Sequence, residues 1–169
     1  ISSTTSLLNA KTRDWDMELI EKLGIKKSIF NKIYAPGSVV GNFSDEVKEY
    51  AGYDATVVFA PAHDTASAVA ACTLKGHGMY ISSGTWSLVG VQNEEAVTSK
   101  EALEANFANE GGVNNTYRFL KNIMGMWLFQ SIRKDLDKKY TYDEMMNMAM
   151  ESNYEKHFSP NDQRLVSPD

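Results

Sequence analysis

The amino-acid sequence predicts an α/β protein, on three observations. A short β-branched apolar run, Thr56-Val57-Val58-Phe59, is followed after Asp64 by a tract of small residues, Ala66-Ser67-Ala68-Val69-Ala70-Ala71, that suits a helix. Two further apolar runs, 79–82 and 86–91, flank Ser83-Gly84-Thr85 as two strands flank a tight turn. Met124, Trp127, Leu128, Ile132 and Leu136 then recur at helical spacing, with Arg133, Lys134, Asp135, Asp137, Lys138 and Lys139 as the solvated side.

Taken in order, the elements each have a local reason. Asp14 is placed to cap a helix that carries Trp15, Leu19, Ile20 and Leu23 on roughly one face, and Gly24 supplies the left-handed residue that ends it. Pro36-Gly37 marks a turn, and Ser44 opens a second helix that ends near Gly52. The run 56–60 reads as a buried strand and the helix after it as spanning about 65 to 74. Two glycines bracket a histidine at Lys75-Gly76-His77-Gly78, which predicts a hinge and divides the chain into domains of 1–75 and 76–169. Thr98 and Glu101 have capping-box spacing, residues 116–120 suit a strand, and Thr141 and Glu144 repeat the capping box before a methionine-rich helix. Those methionines read as gap-filling core.

Composition narrows the class. At 169 residues, 43% hydrophobic and 23% charged, the chain is ordinary for a globular protein. No apolar run approaches the roughly 20 residues that cross a bilayer, and the expectation is a soluble, cytoplasmic protein. A net charge of −5 without clustered Lys or Arg gives no electrostatic footprint for nucleic acid. Cys72 is the single cysteine, which excludes an internal disulfide and a multi-cysteine metal site, and its alanine-rich setting predicts a buried, inert thiol. The first residues, Ile1-Ser2-Ser3-Thr4-Thr5, and the last, 164–169, read as cut ends of something longer.

Three stretches can carry chemistry. His63 and Asp64 stand between a strand end and a helix start, where open α/β sheets bind ligands, and the helix dipole favours the carboxylate form of Asp64. The alternative is that Asp64 only caps the helix by bonding an N–H near Ser67, and that His63 is a satisfied structural imidazole. Ser82-Ser83-Gly84-Thr85-Trp86-Ser87 can cradle phosphate with converging N–H groups and hydroxyls, or be an ordinary hairpin turn. It is neither a nucleophile elbow nor a Walker loop. Asn109-Glu110-Gly111-Gly112 precedes Asn122, just before the helix predicted from Met124 to Leu136, and Gln130, two turns along it. Both amides could meet a ligand, or one could cap and the other be exposed. His77 and His157 lack companions at ligand spacing and read as surface residues.

In this order and with these gaps, the motifs resemble the FGGY family of carbohydrate kinases. The resemblance rests on Ser3-Thr4-Thr5, Pro36-Gly37 with Gly41, His63 to Val69, Ser82 to Leu88, Asn109 to Gly112 and Phe119 to Trp127. It covers most of the chain up to about residue 135. It implies a partial actin-like ATPase fold, built of RNase H-like α/β domains: the end of a sugar-binding first domain and the start of a nucleotide-binding second one. It implies transfer of the ATP γ-phosphoryl group, with Mg²⁺, to a ketose hydroxyl, and the runs 83–87 and 120–123 point within the family to L-rhamnulose. By motif, Asp64 would be the base and His63 and Thr65 would hold the sugar. Gly84 and Thr85 would contact the nucleotide phosphates, and Asn122 and Gln130 the ATP. Ala62 stands where the family often has glycine and Ser6 where glutamine is frequent. An Asp-x-Gly phosphate loop and an adenosine-binding glycine loop are expected outside this segment, which alone should be weak or inactive. Fuculose, xylulose or glycerol as acceptor, and a non-catalytic sugar- or nucleotide-binding module, remain the competing readings.

Overall fold

Leu8–Asn9 (β1) and Asp14–Trp15 (β2) pair antiparallel at the start of the chain, with Leu8 opposite Trp15. A computed structural model describes residues 1–72, 78–160 and 162–165, and the fold below refers to these. Because Asp14 and Trp15 belong to a strand, the cap of helix α1 (Met17–Lys22) is Asp16, whose side chain accepts from Leu19 N–H, and not Asp14. Trp15 instead packs edge-on against Phe30 and donates its indole N–H to Asn31 O. Gly24 follows α1 at φ +69°, as its left-handed role predicts.

Ala35-Pro36-Gly37-Ser38 forms the expected turn, closed by Ser38 N–H to Ala35 O. It leads into Val39–Asn42 (β3), which pairs antiparallel with Thr56–Val58 (β4) across a bulge between Val39 and Gly41. Helix α2 (Asp45–Ala51) lies between them, capped by Ser44 and ended by Gly52 at φ +80°. The reading of 56–60 as a buried strand is corrected here. β4 is three residues long, and Thr56 and Val58 are exposed, because β4 has only β3 beside it in a two-stranded sheet.

Helix α3 (Asp64–Ala71) follows, burying Ala66 and Val69. Cys72 ends it and is exposed, so the expectation of a buried thiol fails: its alanine neighbours 70 and 71 are themselves exposed and cover nothing. Residues 73–77, including Lys75, Gly76 and His77 of the expected hinge, lie outside the described residues.

Met79–Ser83 (β5), Trp86–Asn93 (β6), Ala108–Gly111 (β7) and Tyr117–Met124 (β8) form a sheet in the order β5-β6-β8-β7. The turn 83–85 therefore joins two strands, as expected. Helix α4 (Lys100–Glu104) is capped by Ser99, one residue past the predicted Thr98. The strand expected at 116–120 continues to Met124, so Met124 belongs to β8 rather than to a helix, and α5 runs Trp127–Asp135. Thr141 and Glu144 make both halves of their capping box at the start of α6 (Tyr142–Glu151). Of the methionines there, only Met145 is buried. Met146, Met148 and Met150 are exposed, which corrects their reading as core.

The chain divides into two compact units, residues 1–80 with 90–121, and residues 81–89 with 122–169. In the first, Ile20 and Leu120 are the most completely buried large side chains. Tyr80 lies across Gly90, where an added Cβ would come within 2.7 Å of its hydroxyl and 2.8 Å of Leu120 Cβ. The N-terminal segment is tied to β7 and β8 by Gly111 N–H to Ser3 Oγ, by Tyr117 O–H to Ala10 O, and by Arg13 over the Tyr117 ring. In the second, Phe129 of α5 stacks on Tyr142 of α6, and Arg133 lies over the same ring while donating to Tyr140 O.

Candidate functional site

His63, Asp64 and Thr65 sit at the first turn of α3 for a local reason. Phe59 N–H donates to Ser38 O and Gly37 N–H to Phe59 O, which ends the β4 pairing and stacks Phe59 on Tyr34. The chain then runs through Pro61 to His63, the N-cap, whose carbonyl accepts from Ser67 N–H and whose side chain makes no cap bond. Asp64 is the first helical residue, so it does not bond an N–H near Ser67. Its Oδ1 accepts instead from the N–H and hydroxyl of Thr65, at 2.7 and 3.4 Å, and lies 3.6 Å from His63 Nε2. The Asp64 side chain is 96% exposed. These three residues are together, and the carboxylate faces solvent.

His63 and Ala66 also line a cleft of about 430 Å³ in the first unit. Its lining includes the stacked Tyr34 and Phe59, and also Ser2, Ser3 and Thr4. The lining also includes Arg118, a group to which the sequence alone gives no role. The β7–β8 register sets Glu110 opposite Arg118, and Nη2 donates to Glu110 Oε2 at 2.7 Å with the Arg118 side chain only 3% exposed. Two polar atoms of cleft-lining residues, His63 Nδ1 and Arg118 Nη1, are buried without a partner among the described residues. Burial pushes the Tyr80 phenol above the usual tyrosine range, against a smaller opposing pull from Arg118. The signal for Arg118 was opposite charges facing each other across a hairpin, legible only once the pairing register is known. Asn109 proves structural: its side chain accepts from Val97 N–H and donates to Val97 O, both at 2.8 Å.

The nucleotide candidates belong to the second unit. Gly84 and Thr85 form the turn between β5 and β6, and their carbonyls accept from the N–H groups of Met126 and Trp127 at 2.8 and 3.1 Å. The turn is thereby clamped to the start of α5. Gly125 permits this, since a Cβ there would stand 2.5 Å from Gly84 O. Gly84 itself is not in the left-handed region; its N–H is used within the turn, by Trp86 O, and Thr85 is exposed. Asn122 lies inside β8 and is exposed, so it does not stand at the start of α5 and does not cap it, a correction that follows from the longer strand. Gln130 is exposed on α5, and His157 is exposed as read. Among the described residues no cluster of three or more His, Cys, Asp or Glu could hold a metal ion, and no helix is long and apolar enough to cross a membrane.

Residues 1–71 match the model of the FGGY family of carbohydrate kinases, N-terminal domain, and residues 79–169 that of its C-terminal domain. The chain belongs to the FGGY family of carbohydrate kinases. It is similar to curated proteins named rhamnulokinase: 40% identical over 168 residues to that of Oceanobacillus iheyensis and 39% over 167 to that of Halalkalibacterium halodurans. Each alignment takes in 99% of this chain and 36% of the relative, so the chain spans about a third of the length of the curated relatives it matches. Among solved structures, a xylulose kinase from Lactobacillus acidophilus aligns with TM-score 0.69 and 21% identity, over 86% of this chain and 30% of that one. Another, from Brucella ovis, gives 0.63 and 20%, over 79% and 28%. These likenesses show the fold, part of the sugar-kinase architecture and consistent with the actin-like ATPase class read from the sequence.

Proposed function

We propose that the protein to which this chain belongs phosphorylates L-rhamnulose to L-rhamnulose 1-phosphate with ATP, and that Asp64 is the base. The observation that carries this is the Asp64 carboxylate, solvent-facing at the first turn of α3, fixed at Oδ1 by Thr65 and adjacent to a cleft residue, His63. Phosphoryl transfer relies on positioning and charge neutralisation, with a carboxylate taking the nucleophile's proton. The sugar hydroxyl oxygen would attack the γ-phosphorus as the bond to the β–γ bridging oxygen breaks. The hydroxyl proton passes to Asp64, and ADP leaves.

His63 and Thr65 would hold the sugar, with the Tyr34–Phe59 stack offering an apolar surface to its C–H face. Gly84 and Thr85 would meet the phosphates, and Asn122 and Gln130 the rest of ATP. Residues 1–75 would then belong to a sugar-binding domain and 76–169 to a nucleotide-binding one. Mg²⁺ is bound mainly by phosphate oxygens and waters with one or two carboxylates, so an ion carried by ATP needs no protein cage, and Asp64 fits the part of a nearby carboxylate. The family membership and the similarity to rhamnulokinases support the sugar-kinase reading.

The test is ADP release by the complete protein on a panel of L-rhamnulose, fuculose, xylulose and glycerol, beside Asp64→Asn. Preference for L-rhamnulose with a collapsed Asp64→Asn rate is expected. Preference for another acceptor reassigns the sugar, and turnover on none leaves a binding module. Near-normal turnover by Asp64→Asn removes it as base.

A further inference from the structure

We infer that Arg118 recognises the sugar, donating from Nη1 to a ketose hydroxyl. Its side chain is 3% exposed, yet it lines the cleft that carries His63. Two of its three nitrogens are committed, Nη2 to Glu110 Oε2 at 2.7 Å and Nε to Gly111 O at 3.4 Å. Among the described residues Nη1 is buried with no partner, and so is His63 Nδ1. A guanidinium has donors only, whereas an imidazole nitrogen either donates or accepts. Unpaired buried polar groups are costly, so two of them on one cleft mark a place where a ligand supplies what the protein does not.

The charge balance selects the ligand. Glu110 already neutralises Arg118, so the free Nη1 calls for an acceptor without demanding a second anion. A sugar hydroxyl is such a group: one oxygen accepts from Nη1 while a neighbouring hydroxyl serves His63 Nδ1. The stacked Tyr34 and Phe59 rings on the same cleft suit the apolar face of a small polyol rather than a phosphate. The inference rests on the sugar-kinase reading above and adds to it a residue that holds the acceptor sugar.

The experiment uses the complete protein. In Arg118→Lys and Arg118→Met the KM for the preferred ketose should rise about tenfold to a hundredfold, the loss expected for a hydrogen bond to a charged donor, while the KM for ATP stays put. An unchanged ketose KM, or a rise shared equally by ATP, overturns the inference. Should the variants fail to fold, a crystal structure of the unmutated protein with the ketose decides. A sugar oxygen within about 3.2 Å of Nη1 supports the inference, and a bound ketose with every oxygen beyond that reach overturns it. If the unmutated protein phosphorylates no sugar, the sugar-kinase reading fails and takes the inference with it. If it does phosphorylate one without these Arg118 effects, only the inference fails.

Discussion

The Asp64 carboxylate accepts both Thr65 donors at Oδ1, and among the described residues none at Oδ2, so a proton arriving at Oδ2 displaces no existing bond. Replacing it with asparagine keeps the shape and removes the basicity. On the proposed mechanism kcat should fall by about 10²- to 10⁴-fold, with KM for ATP nearly unchanged, as steady-state kinetics of the complete protein would report. Arg118 is a different kind of residue, a charge held in the interior by one opposite charge. Glu110→Ala leaves that charge uncompensated, and urea unfolding should show a loss of about 3–5 kcal/mol. The place of Asp64 at a helix start was legible from neighbours in sequence, His63 and the small residues after it. The buried ion pair of Arg118 was not, because its partner is eight residues back and only a strand register brings them together.

Helix ends were the most readable elements. Ser44 with Gly52 and Thr141 with Glu144 stand where their capping chemistry predicts, while two other caps fell one or two residues away, on Ser99 and Asp16, where a neighbouring side chain offered the same oxygen. Thr141→Ala should cost α6 about 1 kcal/mol, measured as lost helicity in a peptide spanning the helix in helix-promoting cosolvent. The Glu144 carboxyl lies below its ordinary value because the Thr141 N–H and hydroxyl donate to its charged form. Its contribution is therefore complete above about 4.5, the ordinary value, and disappears as pH falls through the lowered one. Circular dichroism of the same peptide should lose helicity over that acid range, and Glu144→Gln should flatten the profile. Strand β4 was misjudged for a physical reason: β-branched content marks a strand but not what covers it. Asn122 was misplaced because an apolar run ending a strand and one starting a helix look alike until Gly125 separates them.

At the scale of the molecule, family and fold class were readable from motif order, although the sheets themselves were not, since no local signal states which strands are neighbours. Val39, Val40, Val58 and Phe59 all present apolar surface on or beside the β3–β4 pair. Expressed alone, the chain should bind a hydrophobic dye and release no ADP from ATP and L-rhamnulose, whereas the complete protein should do the reverse on both measurements. Gly125→Ala drives a methyl into the Gly84 carbonyl at 2.5 Å and should cost about 1–3 kcal/mol in thermal or urea unfolding. That clamp has one more consequence. Trp86 opens β6 beside the turn and Trp127, whose N–H donates to Thr85 O, opens α5, and both tryptophans are exposed, at 51% and 39%. Any molecule that settles on Thr85 alters the surroundings of two natural fluorophores, so a titration followed by emission at their wavelengths would report its arrival without a label.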